Sequence, residues 1–87
     1  MLEELIGQKV VVDLRDRFVC LGTLLRIDPH YLELRNADFH DLRDTDSTRE
    51  IYVADSRATG VKRNRKRVLL VRADVIAVSR LEDVVSE

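Results

Sequence analysis

Apolar and polar residues alternate over several short stretches of this chain, a period of two that is typical of half-buried β-strands. In the first stretch, Val10, Val12 and Leu14 share one face, while Val11 and Asp13 share the other. Later stretches are similarly rich in β-branched and other apolar residues and are bounded by polar or turn-forming ones. The pattern therefore predicts strands at residues 9–14, 18–28, 31–34, 68–71 and 75–81.

Two features near the N-terminus modify this pattern. Leu2, Leu5 and Ile6 follow helical spacing, so a short N-terminal helix is expected before the first strand. Gly22 lies near the middle of the long second strand, where a missing side chain allows a sharp bend. A strongly bent second strand is what a small barrel needs.

The segment between the third and fourth strands, about residues 40–66, is predicted to be a long insertion. Residues 38–50 are polar and poorly periodic, which predicts a loop. Residues 51–53 form a short β-favouring stretch, and irregular chain is expected over 54–64. After the last strand, residues 81–87 are expected to form a fraying tail.

Composition and charge narrow the class of protein. Its 87 residues, 45% of them hydrophobic, predict a single domain over 1–87 with a small core that a partner subunit would stabilise. The formal charge is −1, so any attraction for nucleic acid must come from a local cluster. No apolar run reaches the roughly 18 residues that span a bilayer, and the acidic start differs from a secretory signal. A cytoplasmic protein without a membrane partner is expected.

Two sequence motifs of one known family can be followed along the chain. The first is matched in order by Gly7, Val10, Val12, Leu14, residues 22–24, residues 27–28 and Leu34. The second is matched over residues 68–76 by an apolar strand followed by Arg72, Ala73, Asp74 and Ile76. Their order resembles the Sm/LSm family, in a divergent, bacterial-type form with an insertion. The resemblance implies a mostly β fold, with a short N-terminal helix followed by a strongly bent five-stranded Sm-like (SH3-like) small barrel.

The resemblance also implies an assembly and a function. It predicts a homo-oligomeric ring of six or seven subunits, in which the fourth strand of one subunit pairs with the fifth strand of the next. Such a ring would bind single-stranded RNA, and no enzymatic activity is expected. The alternative is an oligomeric scaffold or protein-interaction ring without RNA binding.

Residues of the RNA site are implied by the same resemblance. Asp28 would order the loop after the second strand, His30 or Tyr31 would offer a stacking surface, and Arg72 would stack on a base and meet phosphate. In the alternative interpretation, Tyr31 packs between subunits, and Arg72 and Asp28 pair with each other to hold the two loops.

The chain departs from the family pattern at three positions. Arg17 stands at the turn glycine, which a different turn type would accommodate, and Ala73 replaces the glycine of the second motif. The asparagine that reads a base in the family has no counterpart after Asp28, because Asn36 lies too late in the strand. Specific binding of uridine is therefore not implied.

Residues 62–67 contain five cations in six positions and form the densest basic run of the sequence. Its members Arg63, Arg65, Lys66 and Arg67 could contact a phosphate backbone. Alternatively, the acidic residues of the same insertion could neutralise the run across a strand pair or a subunit boundary. Those acids are Asp38, Asp41, Asp44, Asp46 and Glu50.

Other reactive residue types do not form a recognisable site. His40 lies among acidic residues, but their spacing does not fit a calcium loop, so no metal or other cofactor is expected. Cys20 is the single cysteine, and its place within a strand favours a packed thiol over a nucleophile. Ser47 and Thr48 resemble a helix cap or a turn and not a catalytic group.

Overall fold

A computed structural model describes residues 1–44 and 48–85 of the chain. Its main elements are a 3₁₀ turn over Leu2–Leu5, strands β1 (Lys9–Leu14), β2 (Phe18–Ile27) and β3 (Tyr31–Asp41), helix α1 (Arg49–Thr59), and strands β4 (Arg65–Val71) and β5 (Val75–Arg80). The predicted class, mostly β with five strands, is confirmed. No helix within the described ranges is long and apolar enough to cross a membrane.

The strands form one antiparallel sheet in the order β4-β3-β2-β1-β5. The β2–β3 register shifts twice, between Leu21 and Thr23 and between Leu24 and Arg26. Such irregularities bend a strand and increase its twist, and the first shift includes the predicted bend at Gly22. Strands β4 and β5 lie at the two edges of the sheet.

Two apolar clusters lie on opposite faces of the sheet, because successive residues of a strand point to opposite sides. The larger cluster contains Val10, Val12, Leu14, Cys20, Leu24, Leu32, Leu34, Ala37 and Leu70. The second cluster contains Val11, Val19, Leu21, Val53 and Leu81. Helix α1 supplies Val53, so the insertion covers the outer face of β1 and β2.

The predictions for the insertion and the tail were wrong in several places. Strand β3 continues to Asp41, where a loop was predicted, and residues 49–59 form a helix where a β-favouring stretch and irregular chain were predicted. The helix begins after Thr48, whose Oγ1 accepts a hydrogen bond from the Ile51 amide at 3.2 Å. Leu81 is buried in the second cluster, so the tail does not fray there. Ser47 lies outside the described residues.

The turn between β1 and β2 keeps a glycine-like conformation without a glycine. Arg17 has φ +68° and its neighbour Asp16 has φ +58°, both in the left-handed region. The expectation that another turn type would accommodate Arg17 is therefore wrong. Both residues retain the steric penalty that a Cβ carries in this region.

We expect Arg17→Gly to raise the free energy of unfolding by about 0.5–1 kcal/mol, because glycine adopts positive φ without that penalty. Arg17→Ala is the matched control, since it removes the same side chain but keeps the Cβ. Urea denaturation of the two variants measures the difference. Equal stability of Arg17→Gly and Arg17→Ala would show that the turn carries no strain at this position.

Candidate nucleic-acid interface

The loop between β2 and β3 is ordered by a single carboxylate. Asp28 Oδ1 accepts hydrogen bonds from the main-chain amides of His30 and Tyr31, each at 2.7 Å. These two bonds lower the pKa of the Asp28 carboxyl below its ordinary value. The carboxylate therefore closes a tight loop in which the side chains of His30 and Tyr31 remain exposed.

Arg72 joins this loop to the 3₁₀ turn that follows β4. Its Nη1 donates to the main-chain carbonyl of Asp28 at 2.6 Å, and its main-chain amide donates to the carbonyl of His30 at 2.8 Å. Arg72 thus holds the two loops together, but its partner is a neutral carbonyl and not the Asp28 carboxylate. Within the described ranges, no ion pair neutralises Arg72.

We call residues 28–31 together with residues 72–74 the loop pair. An open groove runs along it, lined by Pro29, His30, Tyr31, Val71, Arg72 and Ala73. Tyr31 stands opposite Val71 in the β3–β4 ladder, and 42% of it is exposed. The groove therefore presents two exposed rings beside a guanidinium that still has unused N–H donors.

The basic run lies at the other end of β4. Arg65 is opposite Ala37 and Arg67 is opposite Arg35, whereas Val71 is opposite Tyr31. The six-residue step from Arg65 to Val71 corresponds to about 20 Å along the strand. The structure thus divides the candidate residues into two groups: Asp28, His30, Tyr31 and Arg72 in one, and Arg63, Arg65, Lys66 and Arg67 in the other.

The acidic stretch of the insertion does not neutralise the basic run within the described residues. Asp41 pairs with Arg43 at 2.8 Å, and the buried Asp38 accepts hydrogen bonds from Tyr52 and Asn64. Asp46 lies outside the described residues.

The partner of Arg67 is instead Glu33, at 3.6 Å, and Glu33 also pairs with Arg26 at 2.6 Å. No sequence signal pointed to this contact, because Glu33 occupies an ordinary position in the alternation of β3 and only the strand register brings it near Arg67.

The remaining reactive side chains are engaged in packing. Cys20 is fully buried, and this burial raises the pKa of its thiol to about 12, so the thiol is protonated at neutral pH. The His40 ring stacks on Tyr52 with 4.6 Å between the ring centroids. Residues 1–44 and 48–85 contain no group of three or more side chains able to hold a metal ion.

This architecture is similar to that of several proteins of known structure. No protein-family model matches the chain, and no curated protein matches it. Among solved structures, it is similar to the Sm protein of Pyrococcus abyssii in complex with a uridine heptamer (19% identity, 90% of this chain and 89% of that chain, TM-score 0.61). It is also similar to an Sm-like protein of Archaeoglobus fulgidus (16% identity, 92% and 88%, TM-score 0.61).

A third similar structure is a chain of the NatC complex bound to CoA, with 19% identity over 90% of this chain and 80% of that chain and a TM-score of 0.59. These likenesses show that the chain has the Sm-like fold, which confirms the fold implied by the two sequence motifs.

Proposed function

We propose that this protein assembles into an Sm-like homo-oligomeric ring and binds single-stranded RNA at the loop pair. The observation that carries the proposal is the position of Arg72, whose guanidinium is fixed by a neutral carbonyl beside the exposed rings of His30 and Tyr31. A fixed cation next to exposed aromatic rings suits a ligand that has both flat bases and phosphates. The uridine heptamer in the similar Pyrococcus abyssii structure supports the same ligand class.

The chemistry of the loop pair favours stacking over base reading. Stacking of a base on an aromatic ring contributes about 1–3 kcal/mol and tolerates every base, because each base has a π face. The Asp28 carboxylate already accepts two main-chain hydrogen bonds, and none of residues 28–31 carries an amide side chain. The proposed ring would therefore bind uridine-rich and adenine-rich strands with similar affinity.

The ring itself is proposed from the edges of the sheet. An edge strand leaves main-chain donors and acceptors unpaired, and pairing β4 of one subunit with β5 of the next would satisfy both edges. Both strands expose large apolar side chains, with Leu69 57%, Val71 47% and Ile76 68% exposed. A head-to-tail contact of this kind must close on itself to avoid a filament, and six or seven subunits are proposed.

A second candidate function is that of a subunit or scaffold in a protein complex without RNA. The similar chain in the NatC complex favours this candidate, because there the fold occurs within a multi-protein assembly. The carbonyl contact of Arg72 then serves only to hold the two loops together.

Replacing Arg72 by alanine separates the two candidates. Arg72→Ala is expected to weaken RNA binding at least about tenfold, since it removes a stacking surface and a phosphate contact. Arg57→Ala is the matched control, because Arg57 also carries one positive charge and donates to a main-chain carbonyl, that of Val84, but belongs to α1 and not to the loop pair. Fluorescence anisotropy with uridine-rich and adenine-rich oligonucleotides at two salt concentrations measures both variants.

Three results would contradict the proposal in different ways. A light-scattering mass of one subunit at micromolar concentration would contradict the ring. An oligomer that binds neither oligonucleotide at low salt would favour the second candidate. Full RNA affinity in Arg72→Ala would show that the loop pair is not the binding site.

A further inference from the structure

Four arginines at the start of β4 and on the adjacent part of β3 form an exposed basic surface, which we call the arginine ladder. Its members are Arg35, Arg63, Arg65 and Arg67. Arg67 stands directly opposite Arg35 in the β3–β4 register. Like charges in directly opposite positions destabilise a strand pair. Sheet stability therefore gives no reason for this arrangement, and such breaks of a local rule are expected where function requires them.

The cations of the ladder are only partly compensated. Arg67 has Glu33 at 3.6 Å, but that carboxylate also pairs with Arg26 at 2.6 Å. Arg35 and Arg65 make no ion pair with any residue of the described ranges. A site of net positive charge thus persists on a chain whose formal charge is −1.

Asn64 and Asn36 hold the ladder in a defined conformation. The Asn64 side chain accepts a hydrogen bond from the Phe39 amide at 3.0 Å and donates to the Phe39 carbonyl at 2.9 Å. Asn36 Oδ1 accepts a hydrogen bond from Arg63 Nη1 at 2.8 Å. Because the backbone and the guanidinium groups of Arg63 and Arg65 are already hydrogen-bonded, binding at the ladder loses less conformational entropy than binding by a mobile basic tail.

The spacing of the arginines suits an extended phosphate backbone. Arg65 and Arg67 are two residues apart on one strand, which places them about 7 Å apart, and Arg63 continues the series before β4. This distance is close to the separation of successive phosphates in an extended single strand. The planar guanidinium groups match phosphate oxygens in two-point hydrogen bonds.

We propose that the arginine ladder is a second binding site, which holds successive phosphates of a single-stranded nucleic acid without regard to base or sugar. The site is separate from the loop pair, where stacking dominates. The proposal rests on the proposed function in one respect only, that a single RNA strand can occupy both sites. Side chains stand perpendicular to a sheet, so pairing of the β4 edge with a neighbouring subunit leaves the ladder accessible.

The distance between the two sites predicts a dependence on strand length. Arg67 and Val71 are four residues apart, so the near end of the ladder lies about 13 Å from the loop pair along β4. A dinucleotide is too short to span this distance and can occupy one site only, whereas a dodecanucleotide can reach both. The longer strand is therefore expected to bind at least about tenfold more tightly, through the effective concentration that linkage provides.

The test compares Arg35→Gln/Arg65→Gln with Lys9→Gln/Arg17→Gln in the full-length chain. Both double variants remove two positive charges, but Lys9 begins β1 and Arg17 lies in the turn after it, away from the start of β4. The probes are oligothymidylate DNA of both lengths and inorganic polyphosphate. The ladder variant is expected to bind the dodecanucleotide about tenfold more weakly. The slope of log K against log salt concentration is expected to decrease in magnitude by about 1.4, because two phosphate contacts are lost.

The controls keep this result distinct from the test of the loop pair. The Lys9→Gln/Arg17→Gln variant should bind within about twofold of the unmodified protein. Polyphosphate should displace the oligonucleotide from the ladder in the Arg72→Ala variant, because the ladder contacts phosphate groups alone. Thermal melting should show no loss of stability in the ladder variant. Arg63→Gln is the second variant, because Arg63 precedes β4 and is not itself part of the β3–β4 register.

Several outcomes would overturn the inference. An unchanged salt dependence in both ladder variants would show that the ladder makes no phosphate contact. Binding of polyphosphate without binding of the dodecanucleotide would exclude a nucleic acid strand as the ligand. Loss of the oligomer with unchanged DNA affinity would assign the ladder to an interface between subunits. If Arg72→Ala loses RNA affinity and both ladder variants keep theirs, the loop pair is a binding site and the ladder is not.

Discussion

Replacement of Gly22 by valine is expected to lower the free energy of unfolding by roughly 3 kcal/mol or more. A Cβ at this position would lie 3.0 Å from the carbonyl oxygen of Arg35 and 3.1 Å from the Cα and Cβ of Ala37. These atoms are mostly main chain of β3, so they cannot rotate away as the end of a flexible side chain would. Valine adds two further methyl groups, so β2 and β3 must separate at the point where their register shifts.

Gly7→Ala and Gly22→Ala provide the controls for this prediction. Gly7 has φ +87°, and a Cβ at this position would have no atom within 4 Å, so Gly7→Ala meets backbone strain alone, about 1 kcal/mol. Gly22→Ala introduces the close contact but not the extra methyl groups. Its loss in the free energy of unfolding should therefore lie between those of the other two variants. Urea denaturation measures all three. An equal loss in Gly7→Ala and Gly22→Val would show that close approach of β3 to Gly22 does not limit stability.

The strands were predictable from the sequence because successive residues of a strand pack in different apolar clusters, on opposite faces of the sheet. Val10 and Val12 pack in the larger cluster while Val11 packs in the second, so the alternation of β1 survives although both faces are apolar. The predicted bounds of β1 agree with the structure. The bend at Gly22 was also predictable, because a glycine inside an apolar strand often marks a bulge or a tight bend.

Helix α1 was not predictable from local composition. Ile51 and Val53 are β-branched and favour a strand, and the decisive contacts of Val53 are with Val19 and Leu21, about thirty residues earlier in the chain. Thr48 was a local signal, since a threonine cap precedes the helix. Tertiary packing against the outer face of β2 therefore outweighed strand propensity.

The two candidate sites differ in how far the sequence revealed them. Asp28 and Arg72 could be singled out because the resemblance connects their motifs, and the structure places both in the loop pair. The ladder could not be found in the same way, because Arg35 is more than twenty-five residues from the basic run. Only the β3–β4 register places Arg35 opposite Arg67. A linear sequence shows charge runs but not charges that meet across strands.

Asp38→Ala is expected to lower the free energy of unfolding by about 2–4 kcal/mol. Asp38 is only 7% exposed, and its carboxylate accepts hydrogen bonds from the Tyr52 hydroxyl and from Asn64 Nδ2, the latter at 3.2 Å. It thereby joins β3 to α1 and to the start of β4. Its removal leaves the half-buried Tyr52 hydroxyl without this partner, and an unsatisfied buried polar group destabilises by about 1–3 kcal/mol. Asn64 loses one hydrogen bond but keeps the one to the Phe39 carbonyl.

Asp41→Ala is the matched control, because Asp41 lies on the same strand but pairs with Arg43, an exposed side chain only two residues away. Asp41→Ala should lower the free energy of unfolding much less than Asp38→Ala does, since surface ion pairs contribute little to stability. A second readout follows from Tyr52, whose pKa is raised by burial and by the hydrogen bond to Asp38. In Asp38→Ala the pKa of Tyr52 should fall, and amide exchange should accelerate in α1 before it does in β1. Equal destabilisation by both substitutions, with an unchanged Tyr52 pKa, would show that packing of Val53 alone holds the insertion on the sheet.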